Sequence, residues 1–242
     1  MSETKHIIEL IGGCKSVDRK TSEETIHRKV IFGKRLTVGE LIALESSPQA
    51  KNPTYYSDLI LRKMIVEFGT LTMPVPLNLL LSLDSIDRDD LQEASDKFLE
   101  SSRGERSFQF LEDNKVKLAF GFNIDGTEYN TVQFGNRING QDQVEADPLG
   151  RGIAGTCFLI GRQISKISTD DGLASIEGQL ELKHFESLDA EGLTVLKVGA
   201  EIFRQSFRLE REKISRERNG DESVPPVAGN EDERSGDSKI TR

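Results

Sequence analysis

The chain has 242 residues, with 41 acidic and 32 basic side chains and a net charge of −9. Its longest apolar-rich stretch, residues 71–83, is shorter than the roughly 20 residues of a membrane-spanning helix, which excludes an integral membrane protein. The acidic balance argues against a general DNA or RNA binder, because such proteins bind by neutralising phosphates. The start, Met-Ser-Glu-Thr-Lys, does not resemble a secretory signal, and the two distant cysteines, Cys14 and Cys157, fit reduced thiols in a cytosol.

Two strands are predicted near the start of the chain. They are His6–Ile11 and Ile26–Phe32, joined by a polar loop that contains Gly12, Gly13 and Asp18. The return strand is followed by Thr37-Val-Gly-Glu40, which has the capping-box form of a helix start. A hairpin followed by a helix is therefore predicted.

Later segments of this region have the apolar spacing of helices. One predicted helix face contains Tyr56, Ile60 and Met64, and another contains Leu91, Ala94 and Phe98. An acidic run precedes the second face, and we expect Asp87 to be its N-cap, because the helix dipole favours negative charge there. That explains the run without a metal or acid–base site; its members are Asp84, Asp87, Asp89 and Asp90.

The same order of elements is predicted further along the chain. Residues 115–124 alternate between apolar and polar side chains, Asp125-Gly126 is a favoured hairpin turn, and Tyr129–Phe134 is a return strand. Asn139-Gly-Gln-Asp142 is a second helix start. Two helix faces are predicted after it, the second beginning after an N-cap at Asp189; they contain Ile153, Cys157, Ile160, Ile164 and Ile167, and then Leu193, Leu196, Ala200, Phe203 and Phe207.

These two regions are related by an internal repeat. Residues 25–35 and 127–137 are identical at five of eleven positions, and residues 84–91 match residues 186–193 at the same spacing of 102. The sequence therefore predicts an α+β fold of two similar units, each a β-hairpin followed by amphipathic helices. The predicted units are residues 1–100 and 115–214, with a linker at 101–114 and a disordered tail at 215–242, where apolar side chains are scarce.

Residues that could carry catalysis are scarce. The histidines, His6, His27 and His184, lie in unrelated settings. Gly150–Gly155 matches the spacing G-x-G-x-x-G, but it lacks the preceding strand of a dinucleotide site. We expect no catalytic, cofactor-binding or metal-binding residue, and the sequence singles out no partner-binding residue.

Arg35 and Arg137 occupy the same place after Phe-Gly in the two repeats. Either guanidinium could bind a phosphate or a carboxylate of a partner. An arginine that anchors the turn from strand to helix is the role that we expect.

The order of the motifs resembles the tail assembly chaperones of Mu-like phages. It consists of a hairpin, a return strand that ends near an arginine, a capped helix at Thr37–Glu40 and a last helix entered through Ile86–Leu91. The resemblance implies a non-catalytic protein of the infected host's cytoplasm, here as a tandem duplication. It would bind the tape measure protein and keep it soluble while the tail tube assembles, with no nucleic acid or membrane partner. The tail tube protein and a second copy of the chain are further candidate partners.

Two other functions remain open. One is a structural tail or baseplate component that stays in the virion. The other, ranked last, is a nucleotide-binding enzyme that uses Gly150–Gly155.

Overall fold

The computed structural model describes residues 4–18 and 20–218, with side chains to residue 215. It is an α+β protein. The described residues up to Gly104 are called the first half, and they contain β1 His6–Val17, β2 Glu24–Phe32, α1 Val38–Glu45, α2 Pro53–Met64, β3 Ile65–Phe68, α3 Leu77–Leu81 and α4 Ser85–Arg103. The residues from Glu105 are called the second half, and they contain β4 Gln109–Leu111, β5 Lys115–Ile124, β6 Thr127–Phe134, α5 Gly140–Ala146, α6 Ile153–Gln163, β7 Ile164–Ser168, β8 Ser175–Glu177, α7 Leu182–Phe185 and α8 Ala190–Arg218.

The described residues up to Arg204 form one compact unit, and those from Gln205 onward form a second. The segment predicted as a linker, 101–114, includes the end of α4 and strand β4. The segment predicted as a disordered tail begins inside α8, and its residues 219–242 lie outside the described residues.

The strands form two antiparallel sheets, β1-β2-β3 and β4-β5-β6-β7-β8. In the first sheet Phe32 pairs with Ile65, next to a break in the register. In the second sheet Phe134 pairs with Ile164, again next to a break. The outgoing strands are also irregular at similar places, between Glu9 and Cys14 in β1 and between residues 117 and 122 in β5.

A phenylalanine of the last helix stacks on the central strand in each half. The Phe32 and Phe98 rings are 6.4 Å apart with an interplanar angle of 26°. The Phe134 and Phe203 rings are 6.0 Å apart, also at 26°. All four side chains are buried, so each sheet packs its core against the last helix of its own half.

Several sequence predictions are confirmed at the helix starts. Thr37 and Glu40 form a capping box, and so do Asn139 and Asp142. Asp189 accepts a hydrogen bond from the backbone N–H of Glu191 at 3.0 Å, as an N-cap does.

The prediction that Asp87 is the N-cap of its helix was wrong. Asp84 caps α4 by accepting from the N–H of Asp87 at 2.9 Å. The Asp87 carboxylate instead accepts from the backbone of the irregular part of β1, from Ile11 at 2.8 Å, Gly12 at 3.1 Å and Gly13 at 2.7 Å. The sequence match at 84–91 therefore aligned Asp87 with Asp189, whereas the structure places Asp84 and Asp189 in the same N-cap role.

Two element boundaries also differ from the predictions. Strand β1 continues to Val17, so Gly12 and Gly13 lie within it, and Gly13 takes a φ of 73° that glycine allows without strain. The predicted helix face that ran to Ile167 stops at Gln163, because Ile164–Ser168 pairs with β6 as strand β7. Isoleucine spacings of three and four do not distinguish a helix from a helix that leads directly into a strand.

Candidate functional site

The candidate site is a groove in the second half, between the turn that precedes α5, helix α6 and helix α8. We call it the α6–α8 groove. Its volume is about 190 Å³. A cavity of roughly 150 Å³ can hold a benzene ring, so the groove has room for one large apolar side chain. It is lined by Ile138, Thr156, Leu159, Ile160, Gln163, Lys197, Ala200 and Arg204.

The groove contains a buried polar atom without a partner. Gln163 is 1% exposed, and its Oε1 has no hydrogen-bond partner among the described residues. Leaving a buried acceptor unpaired costs about 1–3 kcal/mol. The oxygen is itself enclosed by protein atoms, so a ligand in the groove could reach it only after a side chain moved.

The first half is filled at the matching place. The paired strands align Gln163 with Met64, since each residue directly precedes the strand that pairs with Phe134 or Phe32. Met64 is 3% exposed and belongs to the hydrophobic core. The stacked rings likewise align Arg204 with Leu99, which packs against the same core. Two positions that line the groove, Gln163 and Arg204, therefore align with apolar core positions of the first half.

The rim of the groove is positively charged. Lys197 and Arg204 are seven residues apart on α8, so they lie on one face of the helix, with the groove between them. The Arg204 guanidinium pairs with Glu201 at 2.9 Å, and both side chains are at least half exposed. Glu201 therefore balances part of the Arg204 charge, and Lys197 is the second cation that lines the groove.

The glycine motif Gly150–Gly155, considered above as a nucleotide site, binds a carboxylate of the protein itself. The backbone N–H of Ile153, at the start of α6, donates to Glu45 Oε2 at 2.7 Å. A Cβ built at Gly152 would lie 2.5 Å from that same oxygen. Glycine is thus suited to this position because it lets the Glu45 side chain approach the helix start.

Arg35 joins the two halves. Its guanidinium donates to both oxygens of Asp189 at 2.8 and 2.9 Å and also pairs with Glu191. It lies 4.5 Å from the centre of the Phe120 ring and donates to the carbonyl of Leu99 at 2.8 Å. The predicted role of an arginine that anchors the strand-to-helix turn therefore extends to partners in the second half. Arg137, its counterpart in the repeat, is exposed.

The cysteines and histidines are not among the residues that line the groove. Burial, followed by the charge of Asp87, raises the pKa of Cys14 to about 12. Burial also raises the pKa of Cys157 to about 12. His27 is buried beside Ser16 Oγ at 2.7 Å, and His184 Nδ1 accepts from the backbone N–H of Glu181 at 3.0 Å. These are structural contacts.

Within residues 4–18 and 20–218, no group of three or more histidine, cysteine, aspartate or glutamate side chains could hold a metal ion. Among the helices that the structure describes, none combines the length and hydropathy of a membrane-spanning segment. Comparison of the chain with protein-family models, with curated proteins and with solved structures gave no match.

Proposed function

We propose that this chain is a non-catalytic phage tail assembly chaperone that binds the tape measure protein in the host cytoplasm and keeps it soluble. The observation that supports the proposal is the α6–α8 groove. The resemblance to Mu-like tail assembly chaperones supplies the partner. A long helical protein with an apolar stripe is suited to a groove between helices.

The groove defines the chemistry of the bound segment. It fits an amphipathic helix that inserts one large apolar side chain between α6 and α8. Lys197 and Arg204 on the rim favour acidic residues on either side of that anchor.

We further propose that the chain is a tandem duplication. The shared break in register beside Phe32 and Phe134 and the two capping boxes support it. The stacked rings of Phe98 and Phe203 support it as well. On this proposal one copy kept a filled core, and the other diverged at Gln163 and Arg204 to make a binding groove.

The test is coexpression with overlapping fragments of a tape measure protein from a Mu-like phage. We expect one or more fragments to become soluble and to copurify with the chain. Gln163→Met reproduces the residue of the first half, so it should close the groove, keep the fold and weaken copurification at least tenfold. Gln92→Met makes the same chemical change at an exposed position of α4 and should bind like the unmodified chain.

Failure of every fragment to copurify would overturn the chaperone proposal. Equal binding by Gln163→Met and Gln92→Met would overturn the groove as the site. Mass spectrometry of purified virions addresses the alternative of a structural tail or baseplate component. The chaperone should be absent from virions, and a stoichiometric amount there would favour the alternative.

A further inference from the structure

The junction between the two halves is a backbone pairing of two helix starts. Thr37, which caps α1, forms an antiparallel bridge with Asp189, which caps α8. The Val38 N–H donates to the Leu188 carbonyl at 2.8 Å, and the Ala190 N–H donates to the Leu36 carbonyl at 3.0 Å. Arg35 adds its ion pair with Asp189 beside this bridge. The junction therefore joins two surfaces, one from each half.

Each of these two surfaces has a counterpart in the opposite half, and the counterparts are not used at the junction. The turn after β6 and the start of α5 correspond to the turn after β2 and the start of α1, because Asn139 and Thr37 form the same capping box. We call residues 137–147 the donor surface of the second half. The start of α4 corresponds to the start of α8, because Asp84 and Asp189 are both N-caps. We call residues 83–88 the acceptor surface of the first half.

These two surfaces expose apolar side chains. Val144 on the donor surface is 61% exposed. It corresponds to Ile42, which shares a helix face with Val38 and Glu45, and both of these contact the second half. Ile86 on the acceptor surface is 60% exposed. It lies two residues after the Asp84 cap, as Glu191 lies two residues after Asp189 and pairs with Arg35.

We propose that these surfaces bind a second copy of this chain, head to tail, in the way that the halves bind each other. The donor surface of one copy docks on the acceptor surface of the next, with Ile86 and Val144 covered. The occupant is a second copy because the docked form of this contact is already present inside each chain. The inference rests on the proposed duplication, and the donor surface adjoins the α6–α8 groove at Ile138.

The contact between copies is weaker than the internal one. Glu45 binds the N–H at the start of α6, but the corresponding helix α2 begins with Pro53, which has no N–H to offer. The start of α2 is also capped already by Asn52, which accepts from Thr54 at 2.9 Å. The association therefore depends on concentration. Because the two surfaces differ, the contact is heterologous, and further copies can add to either end.

The test measures the mass of the purified chain by sedimentation over a series of concentrations. We expect the average mass to rise above that of one chain and to exceed two chains at the highest concentrations. Val144→Glu and Ile86→Glu should each give monomers at every concentration, because each destroys one surface. Circular dichroism should show that both variants remain folded. The control Leu173→Glu, at an 88% exposed position between β7 and β8, should associate like the unmodified chain.

Mixing the two single variants separates a head-to-tail contact from other kinds. The Val144→Glu chain keeps its acceptor surface, and the Ile86→Glu chain keeps its donor surface. The mixture should therefore form dimers and nothing larger. A mixture that stays monomeric would overturn the head-to-tail geometry. A monomeric unmodified chain at all concentrations, or association that both variants leave unchanged, would overturn the proposal itself.

Discussion

Arg35 and Asp189 are 154 residues apart in the sequence, yet the guanidinium binds both carboxylate oxygens, at 2.8 and 2.9 Å. Their side chains are 15% and 8% exposed. Burial alone would lower the pKa of Arg35, but the hydrogen bonds and charges of Asp189 and Glu191 outweigh it and raise that pKa. The ion pair therefore holds two distant parts of the chain together at the junction of the halves.

Arg35→Met should destabilise the protein strongly. It leaves the Asp189 carboxylate buried without its cation, and breaking such a pair costs roughly 3 kcal/mol. Arg137→Met is the matched comparison, since Arg137 follows the same Phe-Gly in the repeat but is exposed; it should destabilise the protein less than Arg35→Met does. Urea unfolding measures both. Equal effects of the two substitutions would contradict this account of the junction.

Asp87→Ala should destabilise the first half. It removes the acceptor for the backbone N–H groups of Ile11, Gly12 and Gly13. Leaving these amides unpaired should cost about 2–3 kcal/mol and speed their hydrogen exchange. Asp89→Ala, at an exposed position of the same helix, should change neither quantity by much. Slow exchange at residues 11–13 in Asp87→Ala would show that the carboxylate does not hold this part of β1.

The two thiols should be inert in the folded protein. Both Cys14 and Cys157 have a pKa raised from 9.0 to about 12, and the thiolate is the reactive form. A disulfide reagent at pH 8 should therefore label neither cysteine until the protein unfolds. Fast labelling of the native chain at either position would contradict the burial that raises the pKa.

The same shifts give stability a definite dependence on alkaline pH. Between pH 9 and 12 the thiols lose their protons in the unfolded chain but keep them in the folded one. The free energy of unfolding should therefore fall as pH rises above 9, by up to about 1.4 kcal/mol per pH unit for each thiol. Cys14→Ala/Cys157→Ala should show a shallower decline in urea unfolding over the same range.

Local sequence signals located most of the elements of the first half and the second half. The capping boxes at Thr37 and Asn139 were predictable because a helix start needs a side-chain acceptor within a few residues. The N-cap of α4 was not, because Asp84 and Asp87 both suit that role. Which of the two caps the helix depends on β1, because a backbone N–H of β1 donates to the Asp87 carboxylate.

The groove and the junction could not be predicted from local patterns. Gln163 is recognisable as the counterpart of Met64 only when β7 and β3 are aligned, and the isoleucine spacing across residues 153–167 had concealed β7 within a helix. The Arg35–Asp189 pair joins residues that no periodicity connects. The repeat gave no signal either, because its spacing of 102 pairs Leu99 with Glu201, and only the stacked rings align Leu99 with Arg204.

The bridge between Thr37 and Asp189 also couples the unfolding of the two halves. Main-chain hydrogen bonds on both sides of that bridge connect α1 to the start of α8. Unfolding of either half therefore breaks hydrogen bonds of the other. Heating should therefore produce a single calorimetric transition for the body of the protein, and a chain cut at Gly104 should yield fragments that survive only while they remain bound to each other.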